Sequence, residues 1–211
     1  MILQQKRRKR PQPFIIKDKY FHKAKKEGFR ARSVFKLEEI QKTFELIHPQ
    51  MKVCDIGAAP GSFMQFIKRI IKEGGLLIGI DIKKIDIIGG KNIYTLVHNI
   101  FEYDTLKPKI REILGSEEKF DVITSDIAPN TTGRKDIDQY ASVELNIEIL
   151  KFGDEFLKKG GNLLLKVFKG EDFSDLTKEI KKRFERFIEY KPLACRDRSF
   201  EEYVICINKK D

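Results

Sequence analysis

The apolar residues of this chain fall into two kinds of run, and the two kinds alternate along the sequence. Runs of consecutive apolar residues predict buried strands, whereas apolar residues that recur every three or four positions predict helices. The predicted strands are Val53–Ile56, Leu76–Ile80, Tyr94–Val97, Phe120–Ser125, Asn162–Phe168, Phe187–Lys191 and Tyr203–Ile207. The predicted helices cover residues 30–43, Phe63–Ile71, residues 140–157 and residues 174–184.

This alternation of strands and helices predicts an α/β fold with a seven-stranded, doubly wound and mostly parallel sheet. The last two predicted strands are joined by a segment without helical spacing, so we expect them to pair antiparallel and to close the edge of the sheet. In doubly wound sheets ligands bind at the carboxyl ends of the strands. The residues that follow each predicted strand are therefore the first candidates for chemistry.

The positive charge of the chain is concentrated near its N-terminus. The net charge is +10, and residues 1–52 carry 15 Lys and Arg against 5 Asp and Glu, whereas the remainder is neutral. Such asymmetry predicts a polyanion-binding surface on a neutral catalytic body. We expect a basic arm over residues 1–19 and one domain over residues 20–211.

The first residues, Met1–Pro13, are basic and lack the apolar segment of a secretory signal. They are compatible with a nucleic-acid arm, a nuclear signal or a trimmed organellar presequence. No apolar run approaches the roughly 20 residues that a membrane-spanning helix needs, so we expect no contact with a membrane.

Cysteine and histidine are few and scattered in this sequence. The three cysteines, Cys54, Cys195 and Cys206, have no CxxC spacing, and the three histidines are His22, His48 and His98. We expect the cysteines to be small buried hydrophobic residues in a reducing, intracellular environment. The sequence leaves open whether that is cytoplasm, nucleolus or an organelle matrix. The histidines form no metal-ligand pattern, and no metal is predicted.

A glycine-containing loop joins the first predicted strand to the helix that follows it. Its residues, from Asp55 to Phe63, read Asp-Ile-Gly-Ala-Ala-Pro-Gly-Ser-Phe. The loop matches neither the dinucleotide fingerprint nor the phosphate-binding Walker loop. An acid followed by small residues suits a cationic ligand without phosphate, such as S-adenosylmethionine, although an ordinary strand–turn–helix corner is the alternative. Asp81 ends the second strand, where an acid can accept hydrogen bonds from both hydroxyls of a ribose.

Two further polar residues end neighbouring strands. Asp126 follows the fourth strand, in a segment whose Pro and Asn also favour a plain turn, and Lys166 lies in the apolar fifth strand. Burial favours the neutral form of a lysine, which can then act as a base. The alternative is a lysine that extends to water from the end of its strand. Because neighbouring strands bring their ends together, we expect Asp126 and Lys166 to be within reach of each other.

These segments together resemble the FtsJ (RrmJ) family of RNA 2′-O-ribose methyltransferases over nearly the whole chain. The resemblance is carried by Asp18-Lys19-Tyr20, Gly28–Ser33, Phe35-Lys36-Leu37, Asp55–Phe63, Ser125-Asp126 with Ala128-Pro129-Asn130, Leu165–Phe168, and Arg198-Ser199 with Glu201. It implies a Rossmann-like class I methyltransferase fold whose final strand is antiparallel. It also implies S-adenosyl-L-methionine as cofactor and S-adenosyl-L-homocysteine as product.

The resemblance further implies a catalytic tetrad, formed here by Lys36, Asp126, Lys166 and Glu201. Glu201 is chosen over Glu202 because it stands two positions after Ser199. The cofactor-binding candidates are Asp55, Gly57, Ala59, Pro60, Gly61, Ser62, Phe63, Asp81, Asn99 and Asp126.

Two positions depart from the family pattern. Phe63 stands where the family often has Trp, and Asn99-Ile100-Phe101 stands where it usually has Gly-Asp-Phe. Ile100 cannot accept a hydrogen bond from the adenine amino group, so Asn99 or a backbone carbonyl would have to replace the usual acid.

The implied reaction is transfer of a methyl group to a ribose 2′-hydroxyl of RNA, with a uridine of large-subunit ribosomal RNA as the favoured target. The expected partner is ribosomal RNA within a large subunit or its precursor, bound by a monomer. The alternatives are a methyltransferase of tRNA anticodon loops and a non-catalytic RNA-binding module on the same fold. A dehydrogenase is disfavoured by the missing dinucleotide fingerprint.

Overall fold

A computed structural model of the protein describes residues 19–195 and 199–211. Its seven strands are β1 Lys52–Ile56, β2 Leu76–Asp81, β3 Ile93–Val97, β4 Phe120–Ser125, β5 Leu157–Phe168, β6 Phe184–Tyr190 and β7 Glu201–Lys209. Its six helices are α1 Lys19–Lys26, α2 Val34–Phe44, α3 Ser62–Ile71, α4 Tyr103–Leu114, α5 Lys135–Phe156 and α6 Phe173–Arg183.

The strands form one sheet in the order β3-β2-β1-β4-β5-β7-β6. The first five are parallel to one another, whereas β7 is antiparallel to both β5 and β6. The predicted α/β class and the antiparallel pairing of the last two strands are confirmed. The edge of the sheet on this side is β6, because β7 lies between β5 and β6.

Helices cover both faces of the sheet, as the apolar runs require. One face packs against the apolar sides of α4, α5 and α6 through residues such as Leu106, Ile149 and Ile180. The other packs against α2 and α3 through residues such as Ile40 and Ile67. A smaller hydrophobic cluster packs α1 against the start of α2. Sheet order and helix layers together bring the carboxyl ends of β1, β2 and β4 to one side of the molecule.

Two of the helices are not predicted by the pattern. The eight-residue α1 buries only Ala24, so it has no apolar stripe to detect. In α4 the interior Pro108 is a strong signal against a helix. The predicted helix at residues 140–157 begins five residues earlier, at Lys135.

Some expectations lie partly or wholly outside the described residues. These are residues 1–18 of the predicted basic arm, and Arg198 of the family resemblance. Lys19, the last residue assigned to the arm, is the first residue of α1. Within the described ranges, no helix combines the length and the hydropathy that crossing a membrane requires.

Candidate active site

A cavity of about 640 Å³ opens at the carboxyl ends of β1, β2 and β4. Its wall comes from the loops that follow four strands and from the first turns of α5. Five of the predicted site residues line it: Gly57, Ala59, Asp81, Asn99 and Asp126. The exposed rings of Phe101 and Tyr140 also lie on its wall. This is the position in which doubly wound sheets bind ligands.

Gly57 brings the chain around the end of β1 directly beneath the loop that follows β4. Its φ of +74° lies in the left-handed region, and a Cβ atom there would stand 2.7 Å from Cβ of Ile127. Glycine tolerates this conformation without the penalty that other residues incur. A side chain at position 57 would displace the floor of the cavity.

Asp81 ties the glycine loop to the end of β2. One carboxylate oxygen accepts the backbone N–H of Ala59 at 2.9 Å, and the other accepts the backbone N–H of Lys83 at 2.8 Å. A carboxylate oxygen has a second lone pair, so each can accept a further hydrogen bond. Asp81 is therefore built to receive two hydroxyl donors from the cavity.

Asp55 is completely buried inside β1. Its Oδ1 accepts a hydrogen bond from Thr124 Oγ1 at 2.7 Å, whereas its Oδ2 is buried and has no hydrogen-bond partner among residues 19–195 and 199–211. Burial raises the pKa of Asp55 to about 8, and the negative charges of Asp126 and Asp81 add to that rise. A buried acceptor without a partner is costly, and a cationic group bound nearby would remove that cost.

Asp126 and Lys166 meet at the ends of β4 and β5, as predicted from their strands. Lys166 Nζ lies 3.1 Å from Asp126 Oδ1 and also donates to the backbone carbonyl of Asp126. Both side chains are largely buried, with exposed fractions of 9% for Lys166 and 17% for Asp126. The lysine is therefore held by two oxygens of the residue that lines the cavity.

Lys36 and Glu201 form a second buried ion pair, with Lys36 Nζ 2.5 Å from Glu201 Oε1. Lys36 belongs to the first turn of α2, and Glu201 is the first residue of β7. The structure thus brings the four residues of the implied tetrad together as two ion pairs.

Tyr203 links the two pairs, and it is not among the residues predicted from the sequence. Its hydroxyl donates to Asp126 Oδ1 at 2.5 Å, and Lys36 Nζ lies 5.8 Å from the centre of its ring. Burial raises the pKa of Tyr203 well above its usual value, and the nearby Asp126 carboxylate adds to the rise, so the hydroxyl keeps its proton. The available signal is the position of Tyr203, two residues after Glu201 and on the same face of β7.

Five loop residues predicted to bind the cofactor are not part of the cavity wall, and the first of them is Asp55 inside β1. Phe63 is buried in the apolar cluster beneath α2 and α3. The Ser62 hydroxyl lies 2.9 Å from that of Ser33. Pro60 and Gly61 face the segment before α2, where the Pro60 carbonyl accepts a hydrogen bond from Arg30. Only the first half of the loop therefore faces the cavity.

Ile100 stands where the resembling family usually has an acid, and the structure shows what surrounds it. Ile100 packs into the core beneath α4 and α5 and also lines the cavity with an apolar side chain. Its neighbour Asn99 lines the cavity too, and the Asn99 Oδ1 accepts the backbone N–H of Phe101 at 3.1 Å. The Asn99 amide nitrogen is a donor. It therefore suits a ring nitrogen of a base better than an exocyclic amino group.

The three cysteines are free thiols buried in the core, as expected from the sequence. In the described ranges, no cluster of three or more His, Cys, Asp or Glu side chains is arranged to hold a metal ion. The polar side chains on the cavity wall are carboxylates, amides, one lysine, one histidine and one tyrosine.

The chain is similar to a protein-family model, to individual sequences and to solved structures. Residues 29–209 match the model of the family described as FtsJ-like methyltransferase. A protein of Desulfatibacillum aliphaticivorans named Ribosomal RNA large subunit methyltransferase E is 40% identical over 196 residues, which cover 93% of this chain and 92% of that protein.

Two solved structures are similar to the protein. A candidate ribosomal RNA methyltransferase from Plasmodium falciparum superposes with a TM-score of 0.75 at 28% identity, covering 86% of this chain and 98% of its own. Aeropyrum pernix fibrillarin, crystallised with S-adenosyl-L-methionine, gives a TM-score of 0.59 at 14% identity, over 83% of this chain and 76% of its own. The second likeness is one of fold alone.

Proposed function

The chain belongs to the FtsJ-like methyltransferase family, and on that premise we propose that it methylates a ribose 2′-hydroxyl of large-subunit ribosomal RNA with S-adenosylmethionine. The observation that carries the proposal is the buried Lys166–Asp126 pair at the edge of the cavity. Ribosomal RNA is an intracellular substrate, so the activity is intracellular. We further propose that the protein acts as a monomer on a large subunit or its precursor, and on a uridine.

The residues of the cavity fit this cofactor. S-adenosylmethionine supplies an electrophilic methyl group on a sulfonium, beside a positively charged amino group and an adenosine. The partnerless Oδ2 of Asp55 marks a place where positive charge is favoured. Asp81 offers two acceptors for ribose hydroxyls. The first half of the glycine loop would hold the cofactor.

The chain's main chemical task is to orient the ribose hydroxyl and to accept its proton. We assign the proton to Lys166 Nζ, which accepts it as the neutral amine and becomes the ammonium partner of Asp126, whose two oxygens hold it in place. Tyr203 donates to the same Asp126 oxygen and thereby holds the carboxylate in one orientation. Lys36 and Glu201, as a second pair beside Tyr203, position the ribose.

The experiment that tests the function is transfer of a tritium-labelled methyl group to purified ribosomal RNA, ribosomal subunits and tRNA, followed by nuclease mapping. The proposal expects label on a ribose of large-subunit RNA. Label confined to tRNA would instead support the anticodon-loop alternative, and binding of RNA without transfer would support the non-catalytic module.

Asp81→Ala is expected to weaken binding of S-adenosylhomocysteine by about a hundredfold to ten-thousandfold, because it removes the acceptor of two hydrogen bonds and each contributes about 1.5–3 kcal/mol. Asp81→Asn should lose less, since it retains one acceptor. Calorimetry measures both, with Glu73→Ala, an exposed acid after α3, as the control that should bind normally. Unchanged affinity in Asp81→Ala would remove Asp81 from the cofactor site.

Deletion of residues 1–13 is expected to flatten the dependence of RNA affinity on salt. The arm carries the densest positive charge, at Lys6–Arg10, and each phosphate contact adds about one to the slope of log affinity against log salt. Affinity for S-adenosylhomocysteine should not change. If the deletion leaves the salt slope unchanged, the RNA-binding surface lies elsewhere. The lysines of α1 are then the next candidates for contacts with RNA.

A further inference from the structure

Arg30 lies in the basic N-terminal quarter of the chain, yet its guanidinium is hydrogen-bonded to two loops of the protein. From this geometry we propose that Arg30 is a positioning residue that holds the glycine loop in its cofactor-binding shape, and that it makes no contact with RNA. The inference rests on the proposed function, because it concerns the loop that would hold the cofactor.

The guanidinium of Arg30 joins two loops on the cofactor side of the sheet through three backbone carbonyls. Nη1 donates to Pro60 of the glycine loop at 2.9 Å and to Asp86 at 2.9 Å, and Nη2 donates to Ile87 at 2.8 Å. Asp86 and Ile87 belong to the loop after β2, the strand that ends in Asp81. One side chain thus fixes the distance between the glycine loop and the loop that follows Asp81.

Gly61 leaves the space that the guanidinium needs. A Cβ atom at position 61 would lie 2.6 Å from Arg30 Nη1, closer than a real contact allows, and Gly61 also has a φ of +103°. The family resemblance predicts that Gly61 binds the cofactor, but Gly61 is absent from the cavity wall. Its missing side chain is explained by the passage of Arg30, on the far side of the loop from the cavity.

The backbone beside Arg30 is fastened to the same loop and to α3. The N–H of Arg30 donates to Gln65 Oε1 at 3.0 Å, and Gln65 Nε2 donates back to the carbonyl of Gly28 at 3.0 Å. The hydroxyls of Ser33 and Ser62 lie 2.9 Å apart. Because α2 begins at Val34 and carries Lys36 in its first turn, this attachment joins the glycine loop to the catalytic ion pair of Lys36 and Glu201.

The two roles of Arg30 predict different measurements. An arginine that contacts a phosphate contributes about one to the salt slope of RNA binding. An arginine that orders a loop changes affinity for the ligand of that loop, by a coupling that is typically about 5- to 150-fold. Here three N–H groups are already engaged with neutral carbonyls, which favours the second role.

The test compares Arg30→Gln with Lys26→Gln, an equal loss of charge at an exposed position of α1. Calorimetry with S-adenosylhomocysteine gives the cofactor Kd, and a salt titration with a transcript of large-subunit ribosomal RNA gives the slope. For Arg30→Gln we expect a Kd raised on the order of tenfold and an unchanged slope. For Lys26→Gln, which removes the same charge without touching either loop, we expect an unchanged Kd.

Arg30→Lys is a second variant that keeps the inference testable if Arg30→Gln fails to fold. It keeps the charge but not the forked donor geometry, so its Kd should also rise while its slope stays that of the wild type. Thermal unfolding run beside the titrations separates loss of fold from loss of affinity, since all titrations are made well below the melting transition. A wild-type Kd in either Arg30 variant, or a reduced slope in Arg30→Gln, overturns the inference. Failure of the wild-type protein itself to bind S-adenosylhomocysteine would instead overturn the proposed function.

Discussion

Lys166→Ala is expected to abolish nearly all single-turnover methyl transfer while leaving the fold and cofactor binding in place. General base catalysis contributes roughly a hundredfold to ten-thousandfold, and the variant also loses the group that neutralises buried Asp126. Transfer of labelled methyl to a mapped RNA substrate measures the rate. The matched control is Lys169→Ala, because Lys169 is an exposed lysine just after β5 that pairs with Glu189 on the surface.

The pH dependence decides whether Lys166 accepts the proton or only supplies charge. If it accepts the proton, the wild-type rate rises with pH because only the neutral amine is a base, and Lys166→Arg is as inactive as the alanine variant because arginine stays protonated. If Lys166 only steers the hydroxyl by its charge, the profile is flat and arginine retains part of the rate. Normal transfer by Lys166→Ala would remove Lys166 from the mechanism.

Asp55→Asn is expected to stabilise the protein relative to the wild type at alkaline pH and to weaken cofactor binding. Burial raises the pKa of Asp55 from 3.8 to about 8. The folded state therefore binds a proton that the unfolded state releases, and stability falls as pH rises towards about 8. One pKa unit is about 1.36 kcal/mol, so the full effect on the free energy of unfolding is on the order of 5 kcal/mol. Asparagine does not ionise, and the difference between variant and wild type should grow from about pH 5 to about pH 8 and then level off.

Chemical denaturation at several pH values measures this difference, with Asp104→Asn, at an exposed position of α4, as the control. The amide nitrogen that the substitution places at position 55 would be buried without a partner, but that cost is the same at every pH and does not alter the slope. In wild-type protein a bound cationic ligand favours ionised Asp55, so cofactor affinity should rise with pH up to about 8 and this rise should vanish in the variant. A pH-independent difference in stability would mean that Asp55 is already ionised in the free protein.

The sheet was predictable from the sequence because its strands are uninterrupted apolar runs that end in turns or acids. All seven strands lie where the pattern places them, with Phe120–Ser125 reproduced to the residue. The failures are α1 and α4, in which tertiary contacts override a weak or contrary local signal. The helix of α4 persists around Pro108 because Leu106 and Ile110 are buried against the sheet.

The candidate site was predictable where it depends on strand order, and not where it depends on side-chain direction. Asp126 and Lys166 end neighbouring strands, so their contact followed from topology alone. Tyr203 was not predicted because an aromatic residue in an apolar strand usually belongs to the hydrophobic core. The sequence does not show which group its hydroxyl contacts. For Arg30 the sequence shows a positive charge but not that three carbonyls surround it.

The position of β7 between β5 and β6 has a consequence for how the molecule assembles. β5 and β6 precede β7 in the chain, so a folding chain has to leave a gap between them, or open one, before β7 can enter. Contacts between residues far apart in sequence form slowly because the chain between them must first be ordered, and the Lys36–Glu201 pair joins residues from near the two ends of the described chain. A partly folded molecule can therefore possess the nucleoside cavity at β1, β2 and β4 while it still lacks Glu201 and Tyr203. On the function proposed here, the part of the site that would hold the methyl donor then exists before the part that would position the ribose.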